Sequence, residues 1–88
     1  MRPRGLRPDA LQSVTVLEAL EGLAAQHWAA GVPFRNLEAA TRSRLNYRAL
    51  MDALNALVSD GAVRRVTERP ARLAITEAGR KRLDDYRS

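Results

Sequence analysis

Residues 45–63, LNYRALMDALNALVSDGAV, predict an amphipathic helix that ends at Gly61 and is followed directly by a strand. Apolar side chains recur there at the spacing of a core-facing stripe, at Leu50, Ala53, Leu54, Leu57 and Val58. The opposite face carries mainly side chains that bear charge or form hydrogen bonds: Tyr47, Arg48, Met51, Asp52 and Asn55. A long helix with such an outer face is typical of the element that enters a groove of nucleic acid.

The composition indicates one globular domain with a basic surface. The 88 residues suffice for a single modest core, and 45% are hydrophobic while 28% are charged. The net charge is +5, and 14 of the 15 basic residues are arginine, whose forked donors suit phosphate. We therefore expect a surface that attracts polyanions.

Several classes of function lack the residues that they need. The chain has no Cys and one His, so it offers neither disulfides nor thiolate metal sites, and no catalytic triad can be assembled. It also lacks a glycine-rich phosphate loop, and we predict no enzyme, no metal site and no cofactor. No apolar run approaches the ~18 residues of a membrane span. A cytoplasmic protein without a membrane segment is the expectation.

The residues before the long helix predict a basic arm and two further helices. Residues 1–8, MRPRGLRP, resist regular structure and form either a solvated tail or an arm along DNA. The first helix begins after Pro8, capped by Asp9, or at Thr15 in a capping box with Glu18. It is apolar over a broad face that includes Leu17, Leu20 and His27. A short extended piece at Val32-Pro33 leads into a second helix, Phe34 to Thr41, and Asn46 caps the long helix.

The residues after Gly61 predict a two-stranded hairpin and a final helix. Residues 62–67 and 72–75 are short β-prone runs, and residues 68–71 between them have turn chemistry. Thr76 then caps a helix from Glu77 to about Arg87, whose Leu83 and Tyr86 are expected to return to the core.

This order of elements resembles the winged helix-turn-helix domain of transcriptional regulators, a mainly α fold of the α+β class. The run LNYRALMDALNALVSDGAVRRV is similar to the recognition-helix segment of MarR-type and PadR-type regulators. The run LAITEAGRKRL is similar to the leucine-threonine-x-x-glycine signature of those families, with Ile75 in place of Leu and with Thr76 and Gly79 in register. The two signatures cover about residues 32 to 86, within a predicted domain of residues 9–88. Full MarR-type regulators are longer, so we predict no pocket for a small-molecule ligand.

The resemblance implies a sequence-specific regulator that binds double-stranded DNA with the helix of residues 46–60 in the major groove. The base contacts would be Tyr47, Arg48, Met51, Asp52 and Asn55. Arg48 suits guanine and Asn55 suits adenine, while Asp52 either accepts from cytosine N4 or neutralises Arg48. The phosphate contacts would come from the turn and the wing: Arg42, Ser43, Arg44, Arg64, Arg65, Arg69 and Arg72.

Two questions about partners stay open in the sequence. The same fold can serve as a protein-interaction module without nucleic acid, which the carboxylate of Asp52 favours and the wing arginines oppose. Paired half-sites on DNA favour a homodimer. The nominated dimer surface consists of residues from the first and last helices: Leu17, Leu20, Trp28, Leu83 and Tyr86.

Overall fold

The computed structural model describes residues 8–27 and 30–87. Within these ranges the chain is a compact α+β fold of four helices and one antiparallel sheet of three strands. The elements in chain order are α1 (Pro8–His27), β1 (Val32–Pro33), α2 (Phe34–Thr41), α3 (Tyr47–Ser59), β2 (Val63–Glu68), β3 (Ala71–Ile75) and α4 (Glu77–Arg87). The predicted fold class, mainly α with some β, is confirmed. The predicted arm lies outside the described residues except for Pro8, which begins α1.

The bounds of the long helix follow from its capping residues, as predicted. The Asn46 side chain accepts a hydrogen bond from the Ala49 backbone N–H at 2.7 Å, which satisfies one of the free donors of the first turn. Gly61 has a φ of +81°, a conformation that glycine adopts without a steric penalty, and it directs the chain into β2. The alternative start of α1 at Thr15 is wrong. Thr15 lies inside α1, where its hydroxyl donates to the Leu11 carbonyl at 2.9 Å.

The three strands form a sheet in the order β1-β3-β2. The predicted hairpin is confirmed, with a turn at Arg69-Pro70 and strands that begin or end within one residue of the predicted limits. The two residues of β1 pair with β3, Val32 opposite Leu73. The register of β2 against β3 shifts between Arg65 and Thr67, so Val66 is an extra residue that bulges from the ladder.

The core lies between α1, the buried stripe of α3 and the inner face of the sheet. It includes three residues that the sequence assigned to a dimer surface: Leu17, Leu20 and Leu83 are fully buried within the single chain. That assignment is wrong for these three, because a side chain with no exposed area in the monomer has none left to bury against a partner. Tyr86 is 40% exposed, so its predicted return to the core is also wrong. Trp28 and the side chain of His27 lie outside the described residues.

The signature around Thr76 joins the end of α3 to the start of α4. The Thr76 hydroxyl donates to the Gly61 carbonyl at 2.6 Å and accepts from the Gly79 N–H at 3.0 Å. The Thr76 N–H donates to the Ala62 carbonyl at 3.0 Å. One residue therefore caps α4 and also ties it to the loop that leaves α3.

None of the described helices combines the length and the apolar character that a membrane crossing requires.

Candidate functional site

The outer face of α3 presents the predicted base-contact residues together. Tyr47, Arg48, Asp52 and Asn55 are exposed, and Met51 is half-buried. The opposite side of the helix is held in the core through Leu50, Ala53, Leu54 and Leu57. Because one side is buried and the other is exposed, the helix is fixed on one side and free on the other. Its thirteen residues give α3 a length of roughly 20 Å, comparable to the width of a DNA duplex.

An aromatic pair braces the N-terminal end of α3 against α2. The rings of Phe34 and Tyr47 meet edge to face, with centroids 6.3 Å apart and planes at 83°. Tyr47 remains 60% exposed, so most of its ring is available for contact. The pair orients Tyr47 beside Arg48 at the tip of the helix.

The turn between α2 and α3 displays Arg42, Ser43 and Arg44, all exposed. Two backbone N–H groups, those of Arg44 and Leu45, donate to the Thr41 carbonyl at 2.9 and 2.8 Å, which fixes the path of the turn. On its other side the turn borders a groove of about 360 Å³ against α1, lined in part by Ser43, Arg44 and Glu18. Arg44 therefore shares this groove with the carboxylate of Glu18, whereas Arg42 does not line the groove.

The arginines of β2 project to opposite sides of the hairpin. Arg64 pairs with Ala74 and Arg65 with Leu73, and successive residues of a strand face opposite ways. Arg65 faces α3, where its Nη2 donates to Asn55 Oδ1 at 3.4 Å. This hydrogen bond links α3 to the hairpin. Because Arg64 and Arg65 face opposite ways, the arginines of the hairpin do not form a single row: Arg64, Arg65, Arg69 and Arg72.

Arg72 has a role within the fold that the sequence did not predict. Its side chain is half-buried, and its Nη1 donates to the Gly31 carbonyl at 3.2 Å. Gly31 has a φ of +84°, and a Cβ there would lie 2.9 Å from Val66 Cγ2. The close approach that only glycine allows brings the chain before β1 against the hairpin. Arg69 and Arg64 remain exposed.

Basic side chains outnumber acidic ones across this part of the chain. Residues 35–72 contain eight arginines and four carboxylates. One of the four, Asp60, forms an ion pair with Arg82 on α4 at 3.4 Å. Neither Arg48 nor Asp52 forms an ion pair with any described side chain, including each other. Asp52 is exposed on the outer face of α3. The described residues hold no cluster of three or more potential metal ligands.

Two contacts at this surface have no signal in the sequence. Asn55 and Arg65 are ten residues apart with a turn and a strand start between them, and Phe34 and Tyr47 are separated by a whole helix. Which residue faces which depends on how the elements pack. No protein-family model, curated protein or solved structure matches this chain. Any functional assignment therefore depends on the geometry of this surface.

Proposed function

We propose that the chain is a winged helix-turn-helix regulator of the MarR and PadR type that binds double-stranded DNA. The observation that carries the proposal is the free polar face of α3, bordered at its N-terminal end by Arg42 and Arg44 and along one side by the hairpin. In this proposal α3 enters the major groove and the hairpin is the wing. We propose a cytoplasmic location, where such regulators act.

The proposed division of roles follows from exposure. Arg48 and Tyr47, at the N-terminal end of α3, are free to reach base edges, and one bidentate contact from Arg48 to guanine discriminates by ~1–3 kcal/mol. The exposed arginines of the turn and the hairpin are available to phosphates: Arg42, Arg44, Arg64 and Arg69. Arg72 contributes less, because one of its donors is held by Gly31.

Titration of duplex DNA at several salt concentrations tests the proposal. Neutralising about four phosphates lowers the affinity roughly a hundredfold between 50 and 200 mM salt, because each contact releases condensed counterions. We expect log K to fall linearly with log salt. Failure to bind any duplex at low salt, or an affinity indifferent to salt, would contradict the proposal.

Three matched arginine variants separate base recognition from phosphate binding. We expect Arg69→Ala to weaken binding to every sequence and to reduce the salt slope by about one. Arg48→Ala should relax selectivity at one base position by ~1–3 kcal/mol. Arg80→Ala is the control, because Arg80 is exposed on α4, which packs against α1 and β3. Identical behaviour of the Arg48 and Arg69 variants would refute the assigned roles.

A protein-interaction module is the second candidate, favoured by the exposed carboxylate of Asp52 on the reading face. A carboxylate near phosphates opposes DNA binding, whereas it can serve as a contact to a basic protein partner. A stable protein partner recovered together with no binding of DNA would support it. Homodimerisation belongs to the leading proposal, and sedimentation at micromolar concentration tests it separately.

A further inference from the structure

The hydrogen bond between Asn55 and Arg65 determines which atoms of the Asn55 amide are free. Arginine carries only donors, so the amide oxygen Oδ1 must face it, as the 3.4 Å contact with Nη2 has it. The amide is planar, and Nδ2 with its two hydrogens therefore points away from Arg65. Both side chains are exposed. Toward a ligand, the pair offers the N–H groups of Asn55 and the remaining N–H groups of Arg65.

We infer that Asn55 and Arg65 form a unit that presents N–H donors and recognises guanine, an inference that depends on the proposed function. The major-groove edge of guanine presents two acceptors, N7 and O6. Adenine presents the acceptor N7 beside the donor N6, which requires a free amide oxygen. In this structure the guanidinium of Arg65 already donates to that oxygen, and its positive charge opposes a second donor, adenine N6, at the lone pair that remains. The pair therefore reverses the preference for adenine that Asn55 alone would have.

The hairpin holds Arg65 in this position. Arg65 lies opposite Leu73 immediately before the bulge at Val66, on the side of the hairpin that faces α3. It lines a groove of about 120 Å³ together with Met51 and Leu54 of α3, against which its aliphatic stem can lie. Two carboxylates lie near this unit: Glu68 lines the same groove, and Asp52 is one turn before Asn55 on the exposed face of α3. Arg65 is thus a positioning residue for Asn55 rather than only a phosphate contact.

Selection of random duplexes on the full chain tests the inference with four proteins. The unchanged chain should select guanine at one base position, and Asn55→Ala should lose the preference at that position. Arg65→Met removes the donors but keeps an unbranched stem, and it should shift the same position from guanine toward adenine by about tenfold. Arg64→Met is the matched control, because the neighbouring arginine faces the other side. Loss of its phosphate contact should weaken binding to every sequence alike, and the preference for guanine should be kept.

Two outcomes would overturn the inference while leaving the proposed function intact. One is selection of adenine by the unchanged chain at the position that depends on Asn55. The other is an unaltered preference in Arg65→Met. If no protein binds duplex DNA, both proposals fail.

A measurement without DNA checks the contact itself. NMR relaxation should show that the Asn55 side-chain amide moves more in Arg65→Met than in the unchanged chain, and that its motion does not increase in Arg64→Met. Equal motion in both variants would contradict the hydrogen bond.

Discussion

At the scale of single residues, Gly79 shows how a missing side chain positions a helix. A Cβ at this position would clash with the backbone oxygen of Ala62 and lie 2.9 Å from Ile75 Cγ1. The backbone oxygen cannot move without shifting the loop that Thr76 also holds. The glycine of the signature is therefore required by the close packing of α4 on the loop that follows α3 and on the end of β3.

We predict that Gly79→Ala destabilises the fold by about 1–3 kcal/mol, the usual cost of overpacking, although alanine favours helices. Gly22→Ala is the matched control, since Gly22 also lies in a helix but has no atom within 4 Å of an added Cβ. It should stabilise by about 0.5–1 kcal/mol. Urea unfolding measures both. Equal stability of the two variants would show that α4 does not pack so closely.

At the scale of elements, the hairpin arginines divide into those that hold the sheet and those that face solvent. Arg72 bonds to the Gly31 carbonyl and is half-buried, whereas Arg69 is exposed at the turn. We predict that Arg72→Ala lowers the free energy of unfolding by about 1 kcal/mol, the net worth of a typical hydrogen bond. Arg69→Ala should change it by less than about 0.5 kcal/mol.

Thermal unfolding of the two arginine variants provides the comparison, with the unchanged chain as reference. The effects on DNA should run the other way, with Arg69→Ala weakening binding more than Arg72→Ala does. A stable Arg72 variant with strongly reduced DNA affinity would place its guanidinium on phosphate instead of on Gly31.

At the scale of the whole molecule, α1 is the element around which the others pack. It contacts α2, α3, α4, β1 and β3. Its Val16, Leu17 and Leu20 are fully buried, while Leu11 on the same helix is 47% exposed. Arg87 at the end of α4 also pairs with Glu18 and Glu21 of α1, at 3.7 and 3.1 Å, although exposed pairs of this kind contribute little stability.

We predict that Leu17→Ala destabilises the single chain by about 3 kcal/mol, through lost burial and the cavity that it leaves. That is a large fraction of the ~5–15 kcal/mol typical of a domain. Leu11→Ala, the control on the same helix, should cost less than about 0.5 kcal/mol. Unfolding midpoints measured over a range of protein concentrations check this. If Leu17→Ala lowered the unfolding midpoint only at low protein concentration, the result would contradict burial of Leu17 within the single chain and would indicate a dimer interface.

Local signals in the sequence suffice for the helices and the hairpin of this protein and for the ends of α3, whereas they left the start of α1 open between Pro8 and Thr15. Asn46, Gly61 and Thr76 act on neighbouring backbone groups, so their effects can be derived without knowing the rest of the fold. The stripe of Leu50, Leu54 and its companions likewise follows from helical spacing alone. For the same reason the polar face of α3 is visible in the sequence as a candidate site.

Only the tertiary structure decided which side chains on that surface are free. The pairing of Arg64 with Ala74 and of Arg65 with Leu73 directs the two arginines to opposite sides of the hairpin, and Arg65 bonds to Asn55. Arg72 bonds instead to the Gly31 carbonyl. The burial of Leu17 was also settled there, because helical spacing shows that a face is apolar without showing what covers it. Contacts between residues distant in the chain depend on packing, which no local pattern encodes.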